Sequence, residues 1–122
     1  MPTPRTVLFV CAHGAYRSRL AAAFFNAAAP TGWRAVSAGV DPQAAVSVAA
    51  IELAASTAAE PHLDRGRPGA PADAAPADRM IAIDCAAPGA DRWDLAIGAV
   101  GPAQRDEIRA RAEALAADLS AG

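Results

Sequence analysis

Cys11 and Arg17 are the two residues whose types and spacing could support nucleophilic chemistry. Cys11 directly follows the apolar run at residues 7–10, and five residues separate it from Arg17. The thiolate is the nucleophilic form of cysteine, and the pKa of a thiol falls at a helix N-terminus beside a cation. An arginine fork can bind two oxygens of a tetrahedral oxyanion. The pair therefore predicts a nucleophilic thiol that acts on a bound oxyanion.

The elements on either side of this pair predict how it is positioned. Residues 5–10 are predicted to form a buried strand, and apolar residues at helical spacing predict a helix over residues 17–29. A loop that leads into a helix N-terminus presents N–H groups without helical partners to an anion. We expect Ser18 to donate its hydroxyl to the thiolate or to cap the helix. We expect Arg17 and the loop backbone to bind the oxyanion; the loop residues are Ala12, His13, Gly14, Ala15 and Tyr16.

The remaining pattern predicts one α/β domain spanning residues 1–122. Further strands are predicted at 33–38 and 80–84, with a short strand near 63–67 and a helical turn near 72–75. Helices are predicted at 44–59, with Val48, Ile51, Leu53 and Ala55 facing the core, and at 102–119; residues 85–101 are predicted as loop. Alternating strands and helices predict a parallel sheet of about four strands with helices on both faces. Cys11 and Cys85 each follow a strand, so we expect both at the same edge of the sheet.

Composition narrows the functional classes. A chain of 122 residues suits one hydrophobic core, and a net charge of −2 argues against a nucleic-acid partner. Two cysteines are too few for a secreted disulfide scaffold. We see neither a signal peptide nor an apolar run of membrane-spanning length, and we expect a cytoplasmic protein without membrane partner, bound metal or bound cofactor.

The Cys-x5-Arg-Ser sequence after a strand resembles the low-molecular-weight protein tyrosine phosphatase superfamily, which includes the thiol-linked arsenate reductases. Residues 37–39 resemble that family's Ser-Ala-Gly, and residues 80–85 resemble its fourth strand, which in arsenate reductases ends in a redox cysteine. Residues 93–94 and 105–109 resemble its C-terminal region. The resemblance implies a single three-layer domain with flavodoxin-like strand order.

The sequence departs from this family in three places. The family's general acid is the Asp of an Asp-Pro pair, and Ile97-Gly98 stands there instead. A missing acid typically lowers a rate by about 10²–10⁴-fold. Gly14 replaces an Asn that braces the family's loop, and Tyr16 replaces a residue that is often a second loop cysteine. The carboxylates that could replace the acid are Asp84, Asp91 and Asp94.

Three functions follow from the resemblance. The first is arsenate reduction, in which Cys11 attacks arsenate and Cys85 displaces arsenite as a Cys11–Cys85 disulfide forms. An external thiol, thioredoxin or a low-molecular-weight thiol, would reopen the disulfide or attack directly. The second is hydrolysis of phosphotyrosine or another phosphomonoester. The third is a degenerate member that binds phosphate, arsenate or a partner protein without turnover. Cys85 could also be a core cysteine.

Overall fold

The computed structural model describes residues 3–28, 30–74 and 76–121. The strands are β1 (Arg5–Cys11), β2 (Trp33–Gly39), β3 (Arg79–Ile83) and β4 (Asp91–Trp93). The α-helices are α1 (Arg17–Ala27), α2 (Val48–Ala54) and α3 (Pro102–Ala121), and 3-10 turns lie at Glu60–His62 and Pro71–Asp73. None of the described helices is both long and apolar enough to cross a bilayer.

The four strands form one parallel sheet in the order β2-β1-β3-β4. Cys11 lies opposite Gly39 on one side of β1, and Val10 lies opposite Ala82 on the other. The chain leaves β1 toward β2 and later returns to β3 on the opposite side. The end of β1 is therefore the switch point at which such sheets bind ligands. The predicted α/β class, with four parallel strands in flavodoxin-like order, is confirmed.

One face of the sheet carries the main core. Alternate residues of a strand point to opposite faces, so Val7, Phe9 and Cys11 share this face. Phe9 meets Phe25 of α1 edge-on, with ring centroids 6.0 Å apart. Every residue of α1 from Ser18 to Phe25 is buried, because α1 packs between the sheet and α3. This packing fixes the helix whose first turn borders the loop after Cys11.

The other face is covered differently from the prediction. Leu8, Val10 and Ala38 form its buried cluster. The residues packed against them lie on β2 and β3, around the 3-10 turn at Pro71–Asp73 and just after β3, and none of them lies in an α-helix, although we expected helices on both faces; they are Val36, Ala74, Ala77, Met80, Cys85 and Ala87. Prolines at positions 68, 71 and 76 explain this difference, since a proline inside a helix removes a hydrogen bond and clashes with the preceding turn. The 3-10 turn itself lies at the helical turn predicted near 72–75.

Two predictions about strands were wrong. Residues 63–67 form no strand, and the fourth strand is β4, inside the region predicted as loop. β4 is only three residues long and Trp93 is its one half-buried residue, so it carries no alternating pattern. Trp93 packs on Phe9, with ring centroids 5.4 Å apart. β3, residues 79–83, is thus the third strand of this chain rather than the fourth.

Helix ends also differ from the prediction. α2 is shorter than predicted, since Ser47 caps it by accepting the Ala49 N–H and Ser56 adopts a left-handed conformation after it. Its buried side chains are Ala50 and Ala54, whereas Val48 is 67% exposed and Ile51 and Leu53 are half-buried. α1 ends at residue 27, and position 29 of the predicted helix lies outside the described residues, as does position 75 of the predicted turn.

We predict that the core of the first face carries the stability of the fold. Phe24→Ala should lower the free energy of unfolding by about 3–5 kcal/mol, because this fully buried ring leaves a cavity between α1 and α3. Urea titration measures the change. Val48→Ala, on an exposed side chain, is the control and should change stability by less than about 0.5 kcal/mol. Equal losses in the two variants would contradict this assignment of the core.

Candidate active site

The loop after β1 turns its carbonyl groups outward. The carbonyls of Cys11, Ala12, His13 and Ala15 accept hydrogen bonds of 2.7–3.1 Å from the backbone N–H groups of Val40, Asp41, Gln43 and Ser47. In a trans peptide the next N–H points away from the carbonyl. The N–H groups that follow these carbonyls therefore face the inner side of the loop. No acceptor for the N–H groups of residues 12–16 lies in the part of the chain that the structure describes.

Two glycines bring the loop against the end of β2. Gly14 has a φ of +65°, and a Cβ there would lie 2.6 Å from the Gly39 nitrogen. A Cβ on Gly39 would lie 2.3 Å from the His13 carbonyl carbon. The backbones at residues 13–14 and 38–39 therefore touch with no room for a side chain. Sequence reasoning placed Gly39 only in a resembling motif, whereas the structure gives it a steric role in shaping the loop.

Cys11 lies at the base of this loop, 3% exposed. Its thiol donates to the Ser18 hydroxyl at 3.1 Å, and that hydroxyl donates to the Ala38 carbonyl at 3.3 Å. The Ser18 N–H also points at the sulfur, at 3.5 Å. If the sulfur ionises, the hydroxyl can rotate and donate to it. Ser18 is not the helix cap, because that position belongs to Tyr16, which makes no side-chain capping bond.

Arg17 begins α1 beside the loop. Its buried Nε lies 3.4 Å from Oδ2 of Asp84, yet the N–H is not aimed at the carboxylate and makes no hydrogen bond. The contact is therefore an ion pair, and the Nε–H of Arg17 remains available to donate a hydrogen bond. The guanidinium also lies 5.8 Å from the centre of the Tyr16 ring. Burial raises the pKa of Tyr16, so its hydroxyl stays protonated at neutral pH.

A small cavity opens above Cys11. Its volume is about 170 Å³, below the roughly 300–1,000 Å³ of sites that hold drug-sized ligands. Its lining includes Cys11, Arg17 and most of the loop, together with Gln43, Ser47, Ala49 and Val100. No described carboxylate lines it. A larger cavity of about 480 Å³ lies beside the starts of β1 and β2, away from either thiol.

The three candidate acids lie in different places. Asp84 follows β3 in a left-handed conformation, with Oδ2 near Arg17 and Oδ1 accepting the Leu95 N–H at 2.8 Å. Asp91 and Asp94 are exposed and pair with Arg79 and Arg92, at 2.9 and 2.7 Å. Of the three, the structure brings only Asp84 against a residue of the candidate site. The described residues contain no group of three His, Cys, Asp or Glu side chains placed to hold a metal ion.

The segment at which the sequence resemblance places the family's Asp-Pro is hydrogen-bonded to α3. Glu107 accepts the N–H groups of Ala96 and Ile97, both at 2.9 Å, and Gln104 donates to the Ile97 carbonyl at 2.8 Å. The hydrogen bond from Ala96 is the main reason why the pKa of Glu107 is lowered. Sequence reasoning missed these two side chains, because Glu and Gln on a helix usually face solvent and carry no distinguishing pattern.

Cys85 follows β3, the neighbour of β1, so both cysteines lie at the carboxyl edge of the sheet, as predicted. Both are free thiols. Cys85 is half-buried with Val10 on the second face and donates to the Val10 carbonyl at 3.6 Å, whereas Cys11 belongs to the first face. Burial raises the pKa of Cys85, and the charge on Cys11 raises it further.

Cys11 and Arg17 therefore lie at the two ends of a loop whose N–H groups face inward, at the switch point of a parallel sheet. Residues 6–92 match the low molecular weight phosphotyrosine protein phosphatase model, and the chain belongs to this family. No curated protein sequence matches the chain significantly.

Solved structures with the same fold include two enzyme classes. An arsenate reductase from Archaeoglobus fulgidus is 27% identical over 91% of this chain and 98% of its own, with a TM-score of 0.71. The YwlE arginine phosphatase from Geobacillus stearothermophilus is 23% identical over 97% and 94%, with a TM-score of 0.70. The thioredoxin-dependent arsenate reductase of Corynebacterium glutamicum is 22% identical over 99% and 65%, with a TM-score of 0.75.

We predict that Gly39→Ala weakens oxyanion binding at the loop about tenfold or more, because the new Cβ displaces the peptide between residues 13 and 14. The measurement is the protection of Cys11 from alkylation by iodoacetamide in rising inorganic phosphate. Gly98→Ala is the control, since a Cβ there meets nothing within 4 Å. Equal phosphate protection in both variants would refute the role given to Gly39.

Proposed function

We propose that the protein reduces arsenate to arsenite, with Cys11 as nucleophile and Cys85 as second thiol. The observation that carries this proposal is the small cavity above Cys11, bordered by inward-facing N–H groups and Arg17 but by no carboxylate of the described residues. Phosphomonoester hydrolysis needs a proton for its leaving group. Reduction through thiols depends instead on the positions of two sulfurs. The similarity to the Archaeoglobus arsenate reductase supports the same choice.

The first step takes place at the loop after β1. Arsenate binds the N–H groups of residues 12–16 and the Arg17 fork, whose donors suit two oxygens of a tetrahedral anion. The Cys11 thiolate, supported by the Ser18 hydroxyl, attacks arsenic. A sulfur–arsenic bond forms, and one arsenic-bound oxygen, protonated by solvent, leaves as water. The cavity of about 170 Å³ suits this small anion better than a bulky phosphoester.

The second step uses Cys85. Its thiolate attacks the Cys11 sulfur, the disulfide forms, and the electron pair of the sulfur–arsenic bond passes to arsenic, which leaves as arsenite. Cys85 must first leave its place beside Val10, because it packs on the second face of the sheet and Cys11 on the first, and side chains that point apart cannot form a disulfide without backbone movement. Asp84 and Gly89, both at positive φ, bound the segment that has to move.

An external thiol then restores the two reduced cysteines by thiol–disulfide exchange. We propose thioredoxin or a low-molecular-weight thiol in a reducing cytoplasm. The fold shared with a thioredoxin-dependent arsenate reductase makes thioredoxin the first donor to test. Attack by an external thiol directly on the arsenic-bound Cys11 sulfur is the variant of the mechanism that does without Cys85.

A phosphatase is the second candidate, favoured by the position of Asp84. Its carboxylate lies 3.4 Å from Arg17, at the edge of the candidate site. A phosphatase would need this group as its proton donor. In that case Asp84→Asn should lower the hydrolysis of an aryl phosphate by about 10²-fold or more, while Asp91→Asn and Asp94→Asn should leave it unchanged.

The deciding experiment compares arsenate turnover with hydrolysis of p-nitrophenyl phosphate. We expect arsenite formation with a thioredoxin system, abolished in Cys11→Ser and lowered at least 100-fold in Cys85→Ser, since the second thiol supplies the attacking sulfur. Phosphate protection of Cys11 should be unchanged in Cys85→Ser. Unchanged turnover in Cys85→Ser would refute the two-thiol mechanism. Hydrolysis without arsenite formation would establish a phosphatase, and phosphate binding without either product a degenerate member.

The raised pKa of Cys85 predicts the pH dependence of the second step. Only the thiolate attacks, and a pKa above the ordinary value of about 8.5 keeps Cys85 protonated at neutral pH. The rate of arsenite release should therefore rise steadily between pH 6.5 and 8.5. A single turnover without external thiol, started by arsenate, measures this rate. A rate that stays level or falls over this range would exclude Cys85 as the attacking group.

A further inference from the structure

The hydrogen bonds that orient the loop carbonyls come from two sources. Four of the five carbonyls from residues 11–15 accept a backbone N–H of the segment after β2. The remaining one belongs to Gly14 and accepts Nε of Arg19 at 2.7 Å, within the protein interior. We infer that Arg19 is a positioning residue of the loop after β1. Its side chain holds the Gly14 carbonyl, as backbone N–H groups hold the other four carbonyls. This inference rests on the proposed oxyanion binding at the loop.

The consequence for the anion follows from peptide geometry. Because the Gly14 carbonyl is held toward Arg19, the Ala15 N–H of the same trans peptide points to the inner side of the loop. Gly14 has a φ of +65°, and its carbonyl meets α1 instead of the segment after β2. Among the described residues, Arg19 of α1 is the one hydrogen-bond donor to this carbonyl. Without Arg19 the peptide between residues 14 and 15 can rotate and withdraw one donor.

A second hydrogen bond, from Nη1, fixes the position of the Arg19 guanidinium. Nη1 donates to the backbone carbonyl of Asp64, and Asp64 Oδ1 lies 3.8 Å away. The guanidinium thus bridges two backbone carbonyls, from the loop and from the segment after the 3-10 turn at Glu60–His62. Two directed bonds restrict a planar fork far more than one would. A flexible ammonium at this position would hold each carbonyl less firmly.

The burial of Arg19 argues against a role in packing alone. Its side chain is 2% exposed, and the opposing Asp64 carboxylate is 74% exposed. Burial lowers the pKa of Arg19, which reflects the cost of placing a charge there. Replacing buried charges by apolar residues of similar volume is often neutral or stabilising. The hydrogen bond to Gly14 gives this buried charge a role. It takes the place of the hydrogen bonds that, according to the family resemblance, an Asn side chain would make to hold the loop.

Arg19→Met and Arg19→Lys test the inference, with phosphate protection of Cys11 from iodoacetamide as the readout. We expect phosphate affinity to fall about tenfold in Arg19→Met, the equivalent of one charge-assisted hydrogen bond, and less in Arg19→Lys. Ile108→Val controls for stability, because it trims a fully buried side chain of α3 away from the loop and should leave phosphate affinity unchanged. Wild-type affinity in a folded Arg19→Met variant would overturn the inference.

A measurement on the wild-type protein does not depend on how the variants fold. The NMR scalar coupling across the hydrogen bond from Arg19 Nε to the Gly14 carbonyl carbon should be present, and the Arg19 Nε–H should exchange slowly with water. Absence of this coupling would overturn the inference. If the wild type binds no phosphate although the coupling is present, the proposed function fails instead. If it binds phosphate but forms no arsenite, only the arsenate mechanism fails.

Discussion

The structure of the candidate site depends on one set of hydrogen bonds, those that draw the carbonyl groups of the loop after β1 outward. A peptide group cannot present its oxygen and its N–H to the same side. When a carbonyl points to the outer side of the loop, the N–H of the next residue therefore points to the inner side. The N–H groups of the loop face inward because its carbonyls accept hydrogen bonds from the segment after β2 and from Arg19 of α1.

The packing around the loop makes this arrangement rigid. Phe9 anchors β1 in the first-face core, and α1 is buried along most of its length between the sheet and α3. The contact between Gly14 and Gly39 leaves no room for a side chain at either position. Rigid donors need no reorganisation when charge arrives, and such preorganisation is the usual source of electrostatic stabilisation in enzymes. The burial of Cys11 at the base of the loop is part of the same packing.

Several of these features could be predicted from sequence because each has a local signal. The apolar run before Cys11 predicted a central strand, and the alternation of strands and helices predicted the parallel sheet. Arg19 and Glu107 could not be predicted, because their side chains bind backbone carbonyl and N–H groups, which every residue carries and which no residue type or spacing marks. β4 escaped prediction because three residues are too few to show periodicity.

The hydrogen bonds between Ala96-Ile97 and α3 have a consequence for how this chain could acquire a different chemistry. Ile97 stands where the resemblance places the family's acid, and its backbone N–H and carbonyl are both held, by Glu107 and Gln104. A carboxylate introduced there would inherit that placement. Val100, three residues further, lines the cavity and is 55% exposed. A carboxylate that is to reach the cavity above Cys11, by evolution or by engineering, is therefore better placed at Val100, whose side chain already lines that cavity.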